Sequence, residues 1–69
     1  MNKTKAVEIH LLEKGSITSW EAIQLYGATR LSAIIFNLRE RGMNIRTERV
    51  DFTDRFGSKA SYAKYILED

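Results

Sequence analysis

This chain of 69 residues predicts an α+β fold of three helices followed by a two-stranded antiparallel hairpin. Three observations predict it. Up to Gly42 the apolar residues recur at helical spacing. Beyond Gly42 the texture changes to two runs rich in β-branched and aromatic residues, 45–50 and 61–67. In a chain without proline, the four glycines Gly15, Gly27, Gly42 and Gly57 fall between the pieces so defined.

The first helix, about residues 4–14, carries Val7, Ile9, Leu11 and Leu12 on a broad apolar surface. Lys14 stands in its last turn, where a cation suits the helix dipole, and Gly15 lies just past the end. After the short link Ser16-Ile17, the sequence Thr18-Ser19-Trp20-Glu21 reads as a capping box. In it the Thr18 hydroxyl accepts from the Glu21 N–H and the Glu21 carboxylate reaches back. A second helix of about 19–26 follows, Trp20 being assigned to the core, and Gly27 ends it. Thr29 is the next good N-cap, with Leu31, Ile34, Ile35 and Leu38 behind it at i, i+3, i+4 and i+7. Arg39 and Arg41 close a third helix of about 30–41. Strands of about 45–50 and 61–67 complete the chain, joined by a linker dense in turn formers. Ala63, Tyr65 and Leu67 are assigned to the inner face of the second strand.

Length and composition bound the function. Domains run to roughly 100–200 residues, so one small domain carries whatever the chain does. A hydrophobic share of 43% and a charged share of 29% argue against disorder. The absence of cysteine excludes disulfides and thiolate metal sites and agrees with a reducing compartment. No apolar run approaches the roughly 20 residues that span a bilayer. The N-terminus leads into a stretch holding Glu8 and His10, unlike a signal peptide. A cytoplasmic protein with no membrane partner is expected.

Net charge is only +2, yet it is unevenly spread. Residues 1–27 balance Lys3, Lys5 and Lys14 against Glu8, Glu13 and Glu21, while Glu68 and Asp69 make the terminus negative. Residues 28–64 hold eight cations against four carboxylates, a net of +4, and six of those cations are arginine. Arginine is suited to bidentate contact with phosphate and guanine.

Catalysis finds little support. A nucleophile–base pair needs a base, and the single histidine, His10, sits mid-helix beside Val7 and Leu11, where a half-buried or surface position is the simple expectation. One histidine and scattered carboxylates supply no metal-ligand cluster, and the glycines do not group as in a phosphate-binding loop. No enzyme activity, cofactor, metal or small-molecule substrate is expected.

What remains is two helices joined by a glycine-containing turn, the arrangement that lays its second helix in a DNA major groove. The stretch Thr18-Ser19-Trp20-Glu21-Ala22-Ile23-Gln24-Leu25-Tyr26-Gly27-Ala28-Thr29-Arg30-Leu31, then Leu38-Arg39-Glu40-Arg41-Gly42 and a basic hairpin, resembles a winged helix-turn-helix DNA-binding domain. It is similar to the small stand-alone kind common in bacteriophages and prophages, and the resemblance spans residues 4–67. The pattern departs at Ile23, where many such motifs place alanine; here Ala22 stands one step earlier.

The resemblance implies that helix 3 is the recognition helix, its apolar stripe inward and Thr29, Ala33, Phe36 and Asn37 outward, with Arg30 and Ser32 on the flanks. Arg30 is the first candidate for a guanine or phosphate contact. Asn37 either pairs with adenine or faces water, and Thr29 caps the helix as well as facing DNA. Phe36 packs under the wing or sits in an interface. Arg46, Arg49, Arg55, Lys59 and Lys64 line the wing, to contact phosphates or to pair with Glu48, Asp51 and Asp54. Ser16, Thr18 and Ser19 stand where a helix N-terminus meets a phosphate, Thr18 being also the cap. The partner implied is double-stranded DNA, bound by a homodimer or by copies side by side, in transcription regulation or as a recombination accessory factor. A larger protein partner is the other expectation: a protein-interaction module anchored by Phe36, Phe52 and Phe56, of which Phe52 and Phe56 contact a partner from a flexible tip or fold back on the strands.

Overall fold

Helix α1 (Lys3–Lys14) opens on Asn2, whose Oδ1 accepts from the Lys5 N–H at 2.8 Å, and closes on Gly15. A computed structural model of the chain describes residues 2–68. Strand β1 (Ser16–Thr18) leads into α2 (Ser19–Tyr26), and α3 (Leu31–Glu40) follows across a four-residue turn. Strands β2 (Ile45–Thr53) and β3 (Lys59–Leu67) form the hairpin. The sheet is antiparallel throughout, in the order β1-β3-β2.

Local chemistry accounts for the helix ends. At α2 the Thr18 hydroxyl accepts from the Glu21 N–H at 3.2 Å and the Glu21 carboxylate accepts from the Thr18 N–H at 3.0 Å, so the capping box is complete. Gly27 takes φ +64°, a left-handed backbone that strains any other residue, and thereby turns the chain from α2 toward α3. The Ala28 N–H then donates to the Ala22 carbonyl at 3.0 Å, and Ala28 itself is buried.

The core lies between the helices and one face of the sheet. Val7 and Leu11 from α1, Ile17 from β1, Ala22 from α2, the α3 stripe and Ile45 make one cluster, with Tyr65 and Leu67 packed against it. Leu31, Ile34, Ile35 and Leu38 are all buried, each stabilising the fold by about 1.5–3 kcal/mol through removal from water. Ala22 fills the small-residue place in the helix packing while Ile23 stays 43% exposed, so the departure at Ile23 is answered by its neighbour.

Several expectations need correction. The two-stranded hairpin is part of a three-stranded sheet, because residues 16–18 pair with Ile66, Tyr65 and Lys64. Three residues are too few to show a period, so β1 was invisible to pattern alone. The hairpin strands also run longer than 45–50 and 61–67. The Asp54 carboxylate accepts from the Phe56 and Ser58 N–H groups at 2.9 and 3.0 Å, tightening the loop to 54–58 and leaving residues 51–53 free to pair.

Thr29 does not cap α3. The first helical N–H to reach back, that of Ile34, donates to the Arg30 carbonyl, so Arg30 holds the cap position without a side-chain bond. Trp20 is not core but 65% exposed, since it lies two residues before Ala22, about 200° round the helix from the buried side. Leu12 is exposed for a similar reason, off the face that buries Val7, His10 and Leu11. Phe36 does not pack under the wing; it stands exposed beside the buried stripe. His10 is neither surface nor half-buried: at i+3 from Val7 it joins the inner face of α1, and its Nδ1 shares a hydrogen bond of 2.8 Å with the Tyr26 hydroxyl.

Candidate nucleic-acid interface

Four residues singled out by sequence converge. Thr29, Arg30, Ala33 and Asn37 line one side of an open groove whose other side is the start of α1, Asn2, Lys3 and Thr4. Ala33 and Asn37 are one turn apart on α3 and so stack on one flank of the helix, while Thr29 and Arg30 stand at its entrance. All four are exposed. With no capping role, the Thr29 hydroxyl is available to a ligand. Ser32 is exposed on α3 outside the groove, and Phe36 lies between the two on the outward face.

Asn2, Lys3 and Thr4 were missed by sequence reasoning. Their signal was the pair Lys3 and Lys5 before the first apolar stripe, which the neutral charge balance of residues 1–27 concealed. Only the packing of α1 against α3 brings that cation to the groove beside Thr29, Arg30, Ala33 and Asn37.

The cations of the hairpin divide between two faces. Opposed residues in an antiparallel pair share a face. Arg49 opposite Ala63, and Lys59 opposite Thr53, therefore extend the face on which Ile45 and Tyr65 meet the core. Arg46 and Lys64, opposite Ile66 and Glu48, take the outer face, where Thr18 stands next to Lys64. Arg55 lies in the loop at the tip, and Ser19 is exposed at the start of α2.

Partners divide them again. Arg46 pairs with Glu68 through Nε, and its Nη1 lies 3.8 Å from Glu48. Arg39, one of the eight cations in the basic stretch, donates to the Ile45 carbonyl at 2.7 and 3.0 Å and to the Thr47 hydroxyl at 2.8 Å. Its charge ties α3 to β2. Among the described residues, Arg30, Arg41, Arg49, Arg55, Lys59 and Lys64 form no ion pair; Arg49 only approaches the Ser61 hydroxyl at 3.4 Å. The pairing of wing cations with Glu48, Asp51 or Asp54 is thus limited to Arg46 and Glu48.

The tip is a hydrogen-bonded turn in which Phe56 is 87% exposed, whereas Phe52 rests on Tyr62 with ring centroids 5.7 Å apart. Among the described residues no three histidine, aspartate or glutamate side chains gather to hold a metal, and no helix is long and apolar enough to cross a membrane.

A helix pair joined by a glycine turn, with an open second helix and a cationic hairpin beside it, is the geometry of a known family, and a family model described as a winged helix-turn-helix domain matches residues 4–69. The chain belongs to that family. Membership in the winged helix-turn-helix family points to DNA binding in general. No curated protein matches the chain. In the terms of the family, α2 and α3 form the helix-turn-helix and the β2–β3 hairpin is the wing, here widened by β1 into a three-stranded sheet.

Proposed function

We propose that this winged helix reads the sequence of double-stranded DNA, with α3 in the major groove and the wing along the flanking backbone. The observation that supports this most is the open groove in which Thr29, Arg30, Ala33 and Asn37 stand together with Lys3. In this reading Arg30 donates to guanine or a phosphate, Asn37 pairs with adenine, and Ala33 packs on a thymine methyl. Ser32 and Thr29 add hydroxyl donors. Arg49, Arg55 and Lys59 carry the phosphate contacts of the wing, with Lys64 and Arg46 at its outer margin and Thr18 and Ser19 at the N-terminus of α2.

The biological role we assign is transcription regulation or assistance to recombination, of the phage or prophage type. So small a domain makes few base contacts, and tight binding calls for two copies on neighbouring half-sites. Phe56, with its ring in solvent at the tip, favours a second reading in which the wing anchors a protein partner.

Selection from a random pool of duplexes tests the proposal. Enrichment of a defined half-site is expected, with affinity falling as salt rises at about −0.9 per phosphate contact. Absence of duplex binding at about 50 mM salt, where phosphate contacts are strong, defeats it in favour of the protein-binding reading.

A further inference from the structure

The outer edge of β2 is the longest unpaired backbone edge in the fold. β2 is terminal in the strand order, so only one of its edges is bonded to β3. The Glu68 N–H donates to the Asn44 carbonyl at one end of the ladder and the Asp54 N–H to the Ser58 carbonyl at the other. Even-numbered residues of β2 therefore bond β3, and the N–H and C=O groups of odd-numbered ones point outward. The Arg39 guanidinium covers the Ile45 carbonyl at the helix end of this edge. From Thr47 to Thr53 it is uncovered among the described residues. An exposed edge of this kind is a template for another strand.

We propose that the strand it takes is β2 of a second copy of the chain, antiparallel, about a two-fold axis at Val50. The argument is self-complementarity. With Val50 opposite Val50 of the second copy, Arg49 opposes Asp51, Thr47 opposes Thr53, and both relations repeat by symmetry. Unlike charges and threonine pairs are favourable cross-strand neighbours. Neighbouring symmetric registers are repulsive: centring on Arg49, Asp51 or Glu48 sets each charge against its own copy. Centring on Thr47 sets Arg46 against Glu48 but needs the Ile45 carbonyl that Arg39 already occupies, so the register at Val50 is the one that pairs opposite charges along the uncovered stretch.

The outer face of the sheet supplies a second, independent observation. There Val50 borders the tilted ring pair Phe52 and Tyr62, which are 44% and 40% exposed, and Trp20 adjoins them across a shallow depression. In the proposed register Phe52 of each copy lies diagonal to Val50 of the other, so two half-covered apolar patches become one strip across the axis. The surrounding charge is balanced, Arg46 and Lys64 against Glu48 and Glu68, so two copies of this face meet without net repulsion. The pairing does not rest on DNA binding.

Cysteine crosslinking without DNA tests it on the whole chain, which has no native cysteine. Val50 of the two copies would form a non-hydrogen-bonded pair with Cα atoms about 4.5 Å apart, within disulfide reach. Oxidised V50C is expected to give a covalent dimer. E48C, on the same face but about 14 Å from its symmetry mate, is expected to remain monomeric. Sedimentation of the uncrosslinked protein from about 10 µM to 1 mM reads the equilibrium directly. R49D and D51R should each weaken the dimer by about tenfold, and R49D/D51R, which restores unlike pairs, should recover it. A monomer throughout that range, equal crosslinking of V50C and E48C, or a charge swap that fails to rescue would overturn the proposal. Because positions 49 and 51 are exposed, circular dichroism of these variants should show an unchanged fold.

Discussion

On the outward side of α3 the side chains are mostly short or uncharged, Thr29, Ser32, Ala33 and Asn37 around Phe36, with Arg30 at the entrance. On the distal wing they are cationic, Arg49, Arg55 and Lys59, none of them held by a carboxylate among the described residues. The helix is fixed by four buried apolar residues on its far side, while the distal wing is fixed by its backbone ladder and one aspartate-bonded turn. The contrast separates two physical tasks. Short polar groups on a rigid helix discriminate base edges, and cations on a projecting hairpin supply affinity that is indifferent to sequence.

The largest expected effect breaks the helix side of this contrast. Leu38→Ala removes a fully buried side chain from the α3 stripe and should cost about 2–5 kcal/mol, a large part of the stability of so small a domain. Chemical denaturation measures it; a loss below about 1 kcal/mol would mean the stripe does not anchor the helix.

Removing Arg49, Arg55 and Lys59 together tests the wing. Affinity should fall on every duplex alike, and the salt slope should flatten by about 0.9 for each phosphate that the wing no longer neutralises. A change in sequence preference instead would place base recognition in the wing. Arg30→Ala should do the reverse, costing about 1–3 kcal/mol on the preferred site and relaxing selectivity at one base position while leaving non-specific binding nearly intact. Titration of matched and mismatched duplexes separates the two.

The smallest effects concern the two threonines. Thr18→Ala takes away a cap that accepts from Glu21 and should cost about 0.5–2 kcal/mol of stability. Thr29→Ala should change stability by less than about 0.5 kcal/mol, because the hydroxyl caps nothing, and should be felt only in DNA binding. Thermal melts showing equal losses for the pair would restore Thr29 to a capping role.

Those threonines also show where sequence stops being legible. Both look like N-caps by residue type and by the apolar run that follows. At Thr18 the partner is three residues away, and the reading was complete. At Thr29 the helix start depends on Ala28 being drawn into the core and bonded to Ala22, an effect that residue type does not encode. Arg39 and Arg46 likewise count as two cations in the basic stretch, but one is tied to the β2 backbone and the other to Glu68 and Glu48. The candidate interface was half legible: Thr29, Arg30, Ala33 and Asn37 follow from helical period, whereas Lys3 joins them only through the packing of α1 on α3.

By itself the sequence determined the three helices, the buried stripe of α3, the capping box at Thr18 and the turn at Gly27. Each of these is set by groups within about one helical turn of one another, so local chemistry suffices. Tertiary structure alone decided that residues 16–18 become a third strand, that Ala22 rather than Ile23 fills the helix contact, and that His10 finds Tyr26. It also sorted the cations into those spent on the fold and those left exposed. These outcomes depend on groups far apart in the chain competing for the same buried space and the same hydrogen-bond partners, and that competition is resolved only when the elements pack.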